Sequence, residues 1–467
     1  GYWPCSELPP PPEPAPVTPA ATTFVKTGDA IADQLAPSLV LVNFEMPFSV
    51  AGVTERNYHG TGLIVDAELG LIVVDRNTVP VAVGDVRVTV AGSVEIPARV
   101  AYVHPLHNLT LLEFDPALLD GTPIRSARLD ARELVPGEAV TVVGLNGGSR
   151  VRSIATTVAS VDAVDFPLSR TLQFRESNLE VASLVNGPSE FDGVVVGRDG
   201  RVRALWSSFA TESGRELVQV NRGIPVDLVA ELVGAARAGR PIYSLEAEFD
   251  AVPVAEARKR GLDDAWVARL EALDPAHRQA LGVTRVVAGS PAAEVLREGD
   301  LLLAVNGQPV NRFRDVELAT RAPLVKVTVL RDGSELELDL ATAALGGGDI
   351  DRLLLWAGAV LHAPHRAMAA QRGIPPEGVF VAFFSYGSPA TRHQLFAGRR
   401  IVEVDGRATP DLDAFIAAVR GRADRSSVRM RTVTWNGATE VITLKLDHHY
   451  WPAYELRRTP GGWLRSP

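Results

Sequence analysis

The sequence predicts a mainly β protein, an all-β barrel or sandwich unit followed by two smaller α+β units, and three observations carry that prediction. Short β-branched runs punctuated by Gly, Pro and Asp fill residues 24–239, the mark of an all-β unit. Two later stretches repeat one pattern, and repeats outrank local propensity in fixing architecture. The length of 467 residues also exceeds one ordinary core, and at about 100–200 residues per domain it gives roughly three.

In chain order, residues 1–23 open with GYWPCSELPPPPEPAPVTPAAT, a Pro-rich stretch without periodicity that reads as an extended, semi-rigid linker. A helix is expected over Thr27–Leu35, capped by Thr27 or Asp29. The strand runs follow: LVLVNFEM from Leu39, GLIVDA from Gly62, LIVVD from Leu71, VRVTVA from Val86, ARVAYV from Ala98, LTLLEF from Leu109 and AVTVVGL from Ala139. Helical spacing over Ile224–Ala238 with a stop at Gly239 closes this unit at residue 239. The second unit covers 240–344, a Gly-rich break 345–349, and the third unit with an aromatic, Pro/Gly-rich tail 350–467.

Composition excludes several functions. Apolar residues make up 46% and charged residues 22%, ordinary globular usage, so wholesale disorder is excluded. A net charge of −9 opposes the basic face that nucleic-acid binding needs. Cys5 is the one cysteine, so no disulfide forms within the chain and no CxxC metal knuckle exists. No run of 18 or more apolar residues offers a helical membrane span. Neither a cofactor nor a metal is called for. The start at Gly1, without a signal-peptide pattern, reads as a processed product or a segment of a longer chain.

The repeats share an order. A strand leads into G-S-P-A (Gly289–Ala292, Gly387–Ala390), then a short helix, a Gly, a strand, and an N-G or D-G turn (Asn306-Gly307, Asp405-Gly406). This order resembles PDZ domains of the circularly permuted bacterial type. The resemblance implies binding of an extended or C-terminal polypeptide segment as an added strand, with a loop of backbone N–H groups holding a terminal carboxylate. The loop candidates are Tyr243, Ser244 and Leu245 with Glu246 in the second unit, and Trp356, Ala357, Gly358 and Ala359 in the third. Neither is the glycine-bracketed aromatic loop of the family, and Glu246 would repel a ligand carboxylate. A helical insert over Ala255–Ala280 could cap the second unit's groove. Ligand binding and packing against the barrel unit both stay open for these modules.

The first unit resembles the trypsin-like double barrel of the HtrA (Deg) family, whose members carry G-S-G-hydrophobic, T-N-x-H-V, D-[LI]-A-[LV]-L and G-N-S-G-G-P-L. Gly60-Thr61-Gly62-Leu63-Ile64-Val65 matches the first landmark. Val73-Val74-Asp75-Arg76-Asn77-Thr78-Val79 places Asn77 at the catalytic His position, and His107-Asn108-Leu109-Thr110-Leu111-Leu112 places Asn108 at the Asp position. In Asn186-Gly187-Pro188-Ser189-Glu190-Phe191-Asp192-Gly193, Asp192 takes the place of the nucleophilic Ser, with Ser189 as the alternative register. His59, His104 and His107 supply imidazoles elsewhere, but a rewired triad is discounted.

A serine hydroxyl becomes a nucleophile when an imidazole takes its proton and a carboxylate fixes that imidazole. Asn77 has no titratable proton to exchange. The expectation is therefore a degenerate protease barrel, no enzyme in this chain, that binds or regulates polypeptides. VVDRNTVP with HPLHNLTLLEFDP, SYGSPA, TPDLDAFIAAV and RMRTVTWNG with HHYWPAYELRR resemble the second half of double-length HtrA-like proteases. That resemblance implies an active protease half upstream as partner. Two rivals stand beside it: a serine endopeptidase, acting through the upstream half or through Ser189 here, and a structural unit for homo-oligomers. A bacterial periplasmic or envelope location would suit an HtrA relative.

Overall fold

The computed structural model describes residues 21–53, 55–164, 166–168, 172–213, 216–347, 350–459 and 462–466. Most of the Pro-rich stretch and the end of the Gly-rich break lie outside these residues. The first helix is Ala30–Leu35, and Asp29 caps it by accepting from the amides of Ile31 and Ala32, a contact worth about 0.5–2 kcal/mol. Thr27 instead bonds to Asp33 through its amide and hydroxyl, so the helix starts three residues later than the sequence spacing predicts.

The strand-rich unit is two closed barrels. The first holds β1 (Leu39–Glu45), β2 (Asn57–Asp66), β3 (Leu71–Val74), β4 (Asp85–Val90), β5 (Val94–Val103) and β6 (Thr110–Phe114), closed in the order β1-β2-β3-β6-β5-β4. The second holds β7 (Ala139–Leu145), β8 (Val151–Ala163), β9 (Glu180–Leu184), β10 (Gly193–Val196), β11 (Val202–Ser213) and β12 (Glu216–Pro225), closed in the order β10-β11-β12-β9-β8-β7. β4 alternates exposed and buried positions because one of its faces meets water. β3 is buried throughout, since Ile72 and Val74 fill the first barrel while Leu71 and Val73 join the layer between the barrels. The Gly60–Val65 landmark has a packing reason as well. A Cβ on Gly62 would lie 2.7 Å from Ile72 Cγ2 and 2.8 Å from Val42 Cγ2, so a larger residue would force the barrel wall apart.

Helix Val226–Ala238 packs Val229, Leu232 and Val233 on the inter-barrel layer and ends at Gly239 in a left-handed cap. The second unit is a sheet whose path runs from the edge strand Ala247–Pro253 through Gln279–Val286, Leu301–Val305 and Leu324–Arg331 to Ser334–Ala341. Asn306 and Gly307 both take positive φ between paired Val305 and Gln308, the two-residue turn that N-G favours, and Asp405-Gly406 repeats it in the third unit.

The insert does not cap the groove. Its helices Val254–Lys259 and Asp264–Leu273 bury Ala257, Trp266, Val267 and Leu270 against Leu301, Leu303 and Leu330, because that apolar stripe needs a sheet face to cover it.

In the third unit the tail supplies strands. The sheet path runs Thr439–Lys445, Ser427–Val433, Arg400–Val404, Val379–Phe384, Ala359–His362, Arg352–Trp356, Tyr454–Thr459 and Gly462–Ser466. Leu345, in the Gly-rich break, pairs with Ile242 in a two-stranded sheet. Among the described residues no helix is long and apolar enough to cross a membrane.

Candidate functional site

A cleft of about 510 Å³ opens between the barrels, lined by Asn57, His59, Asn77, Ser189, Asp192 and Ser208 among others. The structure thus brings together Asn77, Asp192 and Ser189, with Asn108 directly beneath. Asn108 is fully buried. Its Oδ1 accepts from the amides of Arg76 at 2.6 Å and Asn77 at 3.3 Å, and its Nδ2 donates to the Ser208 carbonyl at 2.7 Å. Asn77 Nδ2 donates to that same carbonyl at 2.6 Å and lies 3.4 Å from the Ser208 hydroxyl. Both asparagines therefore spend their donors on β11, and the Ser208 carbonyl is the hub that ties the first barrel's loops to the second barrel.

Two carboxyls sit at this junction. Asp75 is buried at the end of β3 and accepts from the Thr78 amide at 2.7 Å and the Ser208 amide at 3.1 Å. Burial outweighs these bonds and raises its pKa. Asp192, just before β10, accepts from Asn221 Nδ2 at 2.9 Å. Burial first and the Asp75 charge second push it up to about 8, so at neutral pH it is mostly a neutral acid able to donate a hydrogen bond. Ser189 lies exposed on the rim.

The imidazoles do not converge on a serine. His59 is exposed on the cleft wall. His104 and His107 are buried and stacked at 4.6 Å, and His107 Nε2 meets Glu317 Oε1 of the second unit at 2.5 Å. Burial first, then His107 and Arg76, hold His104 well below the usual imidazole range.

The PDZ-type loops are placed differently in the two modules. Tyr243, Ser244 and Leu245 lie beside the edge strand Ala247–Pro253, in a hollow closed on its far side by Phe313 and Val316 of helix Phe313–Ala319. Glu246 does not face an open carboxylate site: it is buried and pairs with Arg366 of the third unit at 2.9 Å. Trp356, Ala357, Gly358 and Ala359 form a tight hairpin joining strands Arg352–Trp356 and Ala359–His362, with Ala357 and Gly358 at positive φ. Trp356 is buried edge-on against Phe415 at 5.3 Å.

Ser208 and Asn221 lie outside the motifs that sequence reasoning followed, and Asp75 lies inside the Val73–Val79 landmark without a role assigned to it. Asp75 alone left a signal, a carboxylate closing the apolar run LIVV.

Comparison with known proteins places this geometry in context. A model described as PDZ domain matches residues 282–323. Protease Do-like 7 of Arabidopsis thaliana is 36% identical over 94% of this chain, and Pro-apoptotic serine protease nma111 of Aspergillus terreus is 30% identical over 99% of it. The chain spans only 44% and 46% of those two relatives' own lengths. The solved HtrA-type protease AlgWS227A with tripeptide aligns with 68% of this chain and 97% of its own at 17% identity and a TM-score of 0.48.

The expectation that the chain is no enzyme is corrected by these relatives, which carry the name protease or serine protease and match over nearly the whole chain. The inference overreached for a physical reason. A missing imidazole at Asn77 describes one position of one cleft, whereas activity belongs to proteins more than twice as long as this chain.

Proposed function

The chain belongs to the HtrA type of trypsin-fold protease with a PDZ domain, and from that premise we propose that it works within a serine endopeptidase, holding polypeptide substrate in its inter-barrel cleft. The observation that carries the reading is the cleft itself, kept open at about 510 Å³ in a chain whose relatives are named for proteolysis. Its floor offers the groups that an extended backbone needs. The Asn77 side-chain oxygen supplies an acceptor and the neutral Asp192 acid a donor, and Phe191 and Val218 add apolar wall. The partner is a polypeptide, and the double-length resemblance adds an upstream protease half as a second partner.

The test is hydrolysis of reduced, unfolded casein by the intact protein, stopped by a serine-directed fluorophosphonate. It is paired with hydrogen exchange of residues 189–192 and 218–219 in the presence of a non-hydrolysable peptide. Cleavage with protection of both segments is expected. Uncut casein contradicts the endopeptidase reading, and cleavage without protection contradicts the role of this cleft.

A further inference from the structure

The edge strand Ala247–Pro253 has a strand partner on one side, Gln279–Val286. On its other side lies the hollow where a PDZ ligand would add as a strand. That side is occupied from within the chain. Asn178, in the loop before β9, donates from Nδ2 to the Ala247 carbonyl at 2.8 Å and accepts at Oδ1 from the Phe249 amide at 2.9 Å. One side-chain amide thus takes the carbonyl and N–H of residues two apart, the pair that one peptide unit of an added strand would take. Leu106 enters the same hollow beside Leu245, Phe249, Phe313 and Val316, and the Ser177 amide donates to the Leu106 carbonyl, tying the two insertions together. The space left is about 20 Å³, room for about one water.

We propose that Leu106 and Asn178 are a built-in stand-in for a peptide, and that the groove's ligand is an extended internal polypeptide segment whose aliphatic side chain displaces Leu106. The stand-in is two side chains rather than a strand, so it yields one amide pair and one apolar contact to a competitor that offers several of each. An internal segment fits better than a free C-terminus. The Glu246 amide, which a terminal carboxylate would seek, already donates to Ser244 Oγ, and Arg366 is engaged by the Glu246 carboxylate. This rests on the reading that the chain handles polypeptide, but it concerns residues 247–253 rather than the cleft.

Gating lowers apparent affinity by the fraction of open groove, so removing the stand-in tightens binding. Asn178 sits at φ 52, where glycine is unstrained, so Asn178→Gly deletes the amide without backbone cost. The probe is a fluorescein-labelled decapeptide of alternating Thr and Leu, capped as the C-terminal amide, compared with its free acid by anisotropy and by hydrogen exchange on the full chain. Binding of the amidated probe at least about tenfold tighter to Asn178→Gly than to the unaltered chain, with new protection over 247–253, is the expected result. Equal affinities overturn the proposal, as does an Asn178→Gly chain that exchanges faster at Phe249 yet binds neither probe. Binding of the free acid alone overturns the ligand class. Protection at 189–192 without protection at 247–253 returns the peptide to the cleft, so the two readings fail separately.

Discussion

The two PDZ-type modules are both filled from within, and they differ in what fills them. In the second unit the edge strand meets one asparagine amide and one leucine, borrowed from barrel loops. In the third, strand Ala359–His362 is paired along its outer edge by Arg352–Trp356, itself backed by Tyr454–Thr459, and Trp356 packs on Phe415 of the facing helix Leu412–Val419. A backbone ladder covered by a further strand and anchored by a buried Trp opens only with the module. Two inserted side chains can withdraw while the module stays folded. A repeated fold therefore gives one groove that is a structural seam and one that can exchange its occupant.

The sharpest way to break this contrast is Trp356→Ala. It should cost about 3–5 kcal/mol, as buried Trp truncations do, read as a lower Tm, and bring no gain in peptide binding because the strand still blocks the edge. A gain would make the two grooves alike. Leu106→Ala is expected to cost less, about 2 kcal/mol, since the hollow can partly collapse, and to tighten binding of the amidated probe. Asn178→Gly removes two hydrogen bonds and should lower stability by about 1–2 kcal/mol in thermal unfolding.

A further prediction concerns the cleft. Asp192 is raised to about 8 in the fold, so the folded state binds its proton more tightly than the unfolded chain. Its contribution is fully present below the ordinary carboxylate range, and stability is lost as pH rises from there through about 8. Asp192→Asn should flatten that decline, seen as a Tm difference from the unaltered chain that grows from pH 5 to pH 8. A constant difference would show that Asp192 is ionised throughout.

The sequence reveals what is local. β1 through β7 follow from β-branched runs, and both tight turns follow from N-G and D-G. Asn77, Asp192 and Ser189, picked out from flanking motifs, line one cleft with Asn108 beneath. What was hidden depends on packing between units. Asn178 and Ala247 lie 69 positions apart and share no pattern. The insert's Trp266 stripe shows that a helix needs cover without saying which face provides it. The segment Trp356–Ala359 reads as a loop because its turn residues are legible, whereas the strand before it pairs with a tail, Tyr454–Thr459, that no repeat marks.

The most direct test of the contrast between grooves is native-state hydrogen exchange on the intact chain, following the edge strands 247–253 and 359–362 with increasing denaturant. The Phe249 amide is expected to exchange by a local opening, at a free energy well below global unfolding, and the 359–362 amides only when their module unfolds. Exchange of both edges through the same global opening would contradict that contrast.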